Sequence, residues 1–233
     1  MSSLATALTL GLLSGLSIPI GAWLGKSEAI KNPWLKSELR HFIMAFGGGA
    51  LLSAVALVLV PEGSANLPIW HTSLAFTLGA VFFAGLDILL SRLRSQVSQL
   101  VAMLSDFLPE AIALGATIAH GESGLLLAFL IALQNIPEGF NAYQELESGH
   151  KNKALLITFS LLALAGPLAT WTGHSLLADY PLAVSSLMLF AAGGILYLIF
   201  QDIAPQAKLK RHWLPPLGAV AGFLLGLIGH LAQ

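Results

Sequence analysis

FLPEAIALGATIA at 107–119 and LLLAFLIALQNIPEGF at 125–140 decide the reading of this chain. Each is an apolar run broken by a proline with a carboxylate directly after it. With their flanks they hold two copies of one pattern 28 residues apart, D-F-L-P-E-A at 106–111 and Q-N-I-P-E-G at 134–139. Ionisable groups inside a membrane helix are costly and usually functional. The two runs are therefore expected to cross a membrane and to carry a cation site between them.

Composition sets the same frame. Of 233 residues, 56% are hydrophobic and 10% charged, with a net charge of −1 and mean hydropathy +0.79. A soluble domain would carry about 25% charged residues. Apolar runs of about 20 residues, the length that crosses the hydrocarbon core, recur from end to end. Residues 4–24 have neither the basic flank nor the A-x-A-like site of a signal peptide, and are read as a first span. The whole of 1–233 is read as a single transmembrane domain. There is no phosphate-binding loop, no H-E-x-x-H and no nucleophile motif, so neither ATP-driven transport nor an enzyme is expected. No cofactor and no nucleic-acid partner is expected either. Zero cysteines exclude disulfides and thiolate metal ligands.

The expected fold is an all-α integral membrane protein of eight transmembrane helices, at about 4–24, 42–60, 72–90, 98–119, 124–144, 154–178, 182–201 and 213–231. All eleven Lys and Arg follow odd-numbered spans, from Lys26, Lys31, Lys36 and Arg40 through Arg92, Arg94, Lys151 and Lys153 to Lys208, Lys210 and Arg211. Positive residues mark the cytoplasmic side. Both termini are thus expected outside the cytoplasm, in a cell's inner or plasma membrane. The polar connection at 25–41 is read as a solvated linker.

Two internal matches suggest inverted repeats, span 2 with span 7 and span 4 with span 5. F-G-G-G-A-L-L-S-A-V-A-L-V-L-V-P-E-G at 46–63 aligns without gaps on F-A-A-G-G-I-L-Y-L-I-F-Q-D-I-A-P-Q-A at 190–207, pairing Phe46, Gly49, Leu52 and Pro61 with Phe190, Gly193, Leu196 and Pro205. Members of each pair would cross in opposite directions, a common transporter plan with the site at the repeat interface.

Asp106 and Glu110 are four residues apart and share a helix face, as do Gln134 and Glu138. At ~1.5 Å per residue, the first pair lies ~12–18 Å and the second ~9–15 Å from the cytoplasmic helix ends. Pro109 and Pro137 have no N–H to give the carbonyls of Ser105 and Leu133, one turn from the carboxylates. Three carboxylates with no Lys or Arg in any span require a cation or a proton. An oxygen-only set suits Mn(II), Fe(II), Zn(II) or Mg(II) and disfavours Cu(I). The alternative is a pair of kinked packing helices whose protonated carboxylates bond to one another.

At these residues the chain resembles the ZIP (Zrt/Irt-like) family of divalent-metal transporters. Q-N-I-P-E-G at 134–139, the P-E-G at 61–63, the P-Q-A at 205–207 and A-G-P-L at 165–168 are similar to that family's motifs. The resemblance implies eight spans, outward termini, a homodimer and transport of a divalent transition metal (Zn, Fe(II), Mn class) into the cytoplasm. Protons would compete or couple. It implies a metal site of Asp106, Glu110, Gln134 and Glu138. The departures are Asp106 and Phe107, where histidine and asparagine are usual, and Gly166, where binuclear members have a glutamate. Only Asn135 remains for a second metal beyond shared carboxylates, so a mononuclear site is expected. The rival reading is a non-transporting metal sensor or scaffold of the same fold.

Other polar residues are given plainer roles. His120 and His174 are read as interfacial rather than ligating, and Glu62, Asp87 and Asp202 as solvated helix-end charges rather than pathway groups. Asn141 is either an extension of the path or an interhelical hydrogen bond. The small residues of G-L-S-I-P-I-G-A-W-L-G at 15–25 and G-A-V-A-G-F-L-L-G at 218–226 are assigned to helix packing. Trp23, Trp34, Trp70 and Trp213 are assigned to the membrane interfaces.

Overall fold

The computed structural model describes residues 2–26, 33–93, 96–147, 153–207 and 213–232. Their regular structure is entirely helical and forms eight long rods. These are α1 (Ser3–Lys26), α2 (33–64), α3 (Ile69–Leu93), α4 (Gln96–Ala119), α5 (Leu125–Glu147), α6 (153–177), α7 (181–206) and α8 (Leu214–Leu231). Seven of them, all but α4, hold stretches long and apolar enough to cross a membrane. The apolar surface of an integral membrane protein follows, with Ile69, Val81, Phe82, Ile157 and Phe200 all more than half exposed. Trp23, Trp70 and Trp213 are exposed as well. The side chain of Trp34 and residues Lys31, Arg94, Lys151, Lys208, Lys210 and Arg211 lie outside the described residues.

The expected linker at 25–41 is a linker only in part. Pro33 starts α2, and 33–41 continue as helix into the apolar run. Proline in the first turn loses nothing, because the first N–H groups of a helix have no internal acceptor. The polar residues that suggested a loop, Lys36 to His41, are the first turns of a helix whose remainder is the most buried of the seven.

Three rods contain π turns. In α2 the turn is Val55–Leu59, closed by the Val60 N–H on the Val55 carbonyl; in α7 it is Ile199–Ile203, closed by Ala204 on Ile199. The gapless alignment of 46–63 on 190–207 places one π turn on the other, each just ahead of a proline (Pro61, Pro205). The third, Gly173–Leu177, ends α6, which also breaks briefly between Leu162 and Ala165.

Glycines set how closely the rods pack. The main partners are α1 with α5, α2 with α8, α3 with α7 and α4 with α6. Each pairing crosses at two glycines, each facing the carbonyl three residues before the other. Gly21 faces Ile136 and Gly139 faces Ile18; Gly49 faces Ala219 and Gly222 faces Phe46. Gly79 faces Phe190 and Gly193 faces Phe76; Gly115 faces Thr170 and Gly173 faces Ile112. A Cβ at any of the eight would run into that carbonyl oxygen. Without a hydrophobic drive between helices in lipid, such close backbone contact is what holds rods together.

Candidate metal centre

The two proline-carboxylate motifs meet where α4 and α5 face each other. Both helices run unbroken through Pro109 and Pro137. The i,i+4 spacing puts Asp106 with Glu110, and Gln134 with Glu138, one turn apart on the inner faces. Glu110 and Gln134 are fully buried, and the Gln134 amide donates to the Glu110 Oε2. Asp106 is 5% exposed, and its Oδ1 accepts the Phe107 N–H at 3.0 Å. Glu138 stands close to both other carboxyls and within hydrogen-bond reach of Asp106.

What remains around these bonds is a surplus of acceptors. Glu110 Oε1, Gln134 Oε1, Asn135 Oδ1 and Asn141 Oδ1 are buried without a hydrogen-bond partner, and the buried Glu138 carboxyl has only the Asp106 carboxyl within hydrogen-bond reach. Asn135 gives its Nδ2 to the Ser14 carbonyl at 3.2 Å, tying α5 to α1 and leaving the amide oxygen orphaned. A buried polar atom left unpaired costs about 1–3 kcal/mol, so a cluster of them calls for a ligand. These are oxygens, and the group that satisfies them is a donor or a cation.

A cavity of about 450 Å³ opens beside them, lined in part by Met103, Ser105, Asp106, Glu138, Asn141 and Asp202. It divides the four expected ligands into two levels. Asp106 and Glu138 line it, while Glu110 and Gln134, one turn further along their helices, do not. Among the described residues no three His, Cys, Asp or Glu side chains come together in a metal-holding group.

Two polar residues were under-read from sequence. Asp87 and Asp202, expected as solvated helix ends, are half-buried on the cavity wall. Asn141 joins them there. The signal for Asp202 is its place in the π turn before Pro205, where the aligned stretch departs from a simple helix. The histidines stay apart from the cavity. His120 is exposed, and His174 Nε2 lies 3.0 Å from Ser3 Oγ. Glu62 is exposed, as a helix-end charge is expected to be.

Phe107 stands beside Gly166. Phe107 is fully buried, and a Cβ on Gly166 would meet its Cζ at 3.2 Å as well as the Gly11 carbonyl. The ring therefore fills the space beside Asp106 where a side chain at 166 would stand. A scan against protein-family models gives no match for the chain, and a search of curated proteins gives none either.

Proposed function

We propose that the chain is a secondary transporter, similar to the ZIP family, that moves a divalent transition-metal cation into the cytoplasm. Asp106, Glu110, Gln134 and Glu138 would hold the metal, and no enzymatic step or cofactor is involved. The observation that carries this reading is the cluster of buried, unpartnered oxygens on α4 and α5, beside a cavity whose lining, among the described residues, includes no Lys, Arg or His. Oxygen ligands of this kind suit Mn(II), Fe(II) or Zn(II), with zinc held less tightly than histidine would hold it.

The path and its symmetry belong to the same proposal. We read α4 as an eighth span, since its 24 residues reach ~36 Å as a helix. Inverted repeats find support in the paired π turns and in the helix partners. Exchanging α1, α2, α3 and α4 with α6, α7, α8 and α5 leaves the four main pairings unchanged. Access would alternate by rocking one group of helices against the other around the site. A single metal position is favoured, because Phe107 and Gly166 leave no room for a span 6 ligand. Outward termini and a homodimer complete the proposal.

Metal uptake into proteoliposomes tests it, comparing Mn, Fe(II), Zn, Co and Cd in wild type and Glu138→Ala. Uptake of one or two ions, lost in the variant, is the expected result. The sensor or scaffold reading has one observation in its favour: the four ligands stand at two levels and, among the described residues, no metal-holding acidic trio is assembled. Binding without flux in the wild type would decide for it. No binding at all would make the carboxylates structural.

A further inference from the structure

The carrier reading uses the oxygens of the cavity and leaves its apolar wall without a role. Phe83, Leu86 and Leu90 recur at helical spacing on α3, so one stripe of that helix faces the cavity. Leu51 of α2, with Ile195 and Leu198 of α7, completes the wall. A metal ion gains nothing from such a surface, and water held against it is unfavourable. At the polar end, Asp106 is 5% exposed and lines the cavity together with Glu138 and Asn141. Glu138 and Asn141 are three residues apart on α5 and share a face. The Asn141 Oδ1 is buried with no partner. Among the described residues, no Lys, Arg or His lines this space.

The two ends together describe one kind of occupant. A volume of about 450 Å³ falls within the roughly 300–1,000 Å³ of small-molecule pockets and exceeds what one ion needs. A primary ammonium has three N–H donors and no acceptor. Asp106, Glu138 and the Asn141 Oδ1 offer it three acceptor groups. We propose that the cavity binds a small primary amine with an apolar body, its ammonium at Asp106, Glu138 and Asn141 and its body along the α3 stripe. A quaternary ammonium has no N–H and would leave those acceptors unpaired. Asp87 and Asp202 line the same space, so a phosphate is repelled there and a free amine is favoured over an aminophospholipid headgroup. The amine and a divalent metal need the same two carboxyls and exclude each other. This goes beyond the carrier reading and rests on it only for that competition.

Binding of radiolabelled phenylethylamine to the full chain in phosphatidylcholine nanodiscs tests the site, with empty nanodiscs as the blank. Saturable binding at one amine per chain is expected. Ethylamine lacks the apolar body, phenylethanol the charge, and trimethyl(phenylethyl)ammonium the N–H groups. Each should compete about tenfold more weakly or worse. Leu90→Asn should weaken the amine on the order of tenfold and leave Mn(II) affinity unchanged, a split that a merely structural leucine would not give. Glu138→Gln should weaken both. A wild type without saturable amine binding overturns the proposal, as does ethylamine binding as tightly as phenylethylamine. Loss of the site when phosphatidylethanolamine replaces part of the lipid also overturns it, by making the headgroup the occupant. Amine binding without Mn(II) binding keeps the site and removes the carrier reading. Mn(II) binding without the amine does the reverse.

Discussion

Gln134 donates its amide to Glu110, and so joins the two motifs out of register. Sequence alignment sets Gln134 against Asp106 and Glu138 against Glu110; the bond instead links the first residue of one copy to the carboxylate of the other. The copies thus meet crossed, one helical turn from their aligned register. The inner pair is joined by a hydrogen bond and the outer pair, Asp106 and Glu138, is left to face the cavity.

Two substitutions separate the structural and ligand roles of that bond. Gln134→Ala strips Glu110 of its donor in a fully buried setting and should cost about 1–3 kcal/mol. The melting temperature should fall. Gln134→Glu adds a carboxylate beside another, so it should melt lower without metal and regain more than wild type when Mn(II) is added. Equal melting shifts with metal for Gln134→Glu and wild type would remove Gln134 from the ligand set.

The glycine crossings carry stability in proportion to what a side chain would strike. A Cβ at Gly79 runs into the Phe190 carbonyl, whereas one at Gly85 meets nothing within 4 Å. Both lie on α3. Gly79→Ala should lower stability by about 1–3 kcal/mol, through forced separation of α3 and α7. Gly85→Ala should be neutral or slightly stabilising. Thermal melts of the two in one detergent check the contrast.

Asn135 is a tie between α5 and α1 before it is anything else. Its amide reaches the Ser14 carbonyl, and Ser14 Oγ in turn donates to the Ala128 carbonyl at 3.1 Å. Interhelical bonds in membranes average about 0.6 kcal/mol. Asn135→Leu should therefore lower stability by about that much and leave Mn(II) stoichiometry unchanged. Loss of a metal equivalent would make Asn135 a ligand and revive a second, adjacent position.

Acidification should weaken metal binding. Carboxylates bind metal deprotonated, so each proton taken up competes with the ion. The Mn(II) dissociation constant should rise as pH falls, and binding should release protons into a weakly buffered solution. A constant that does not move between neutral pH and about one unit lower would argue that the carboxylates are not the ligands.

The rods were legible because crossing a bilayer needs long apolar runs, and few other demands produce them. Expected 72–90 became Ile69–Leu93, and expected 98–119 became Gln96–Ala119. The start of α2 was not, since Lys36 to His41 read as solvent-facing loop, and charge says nothing of whether a helix continues into the headgroup region. That Asp106 shares a face with Glu110, and Gln134 with Glu138, was legible from spacing alone. Asp87 and Asp202 were not, because a carboxylate near a span end has the same sequence signature on a lipid-water surface as on a cavity wall. The bond between Gln134 and Glu110 was hidden for another reason: a repeat aligns equivalent positions, and contact pairs complementary ones.

The π turns of α2 and α7 each hold one residue more than an α-helical turn would. Deleting one residue from such a turn restores a regular helix and leaves the faces before and after it in phase. Deletion elsewhere rotates everything downstream by about 100°. Removing Ala56 or Phe200 should therefore be tolerated where removing Leu52 or Leu196 is not. The chain's length is adjustable by one residue at these two places, and the helix faces on either side of each turn keep their phase.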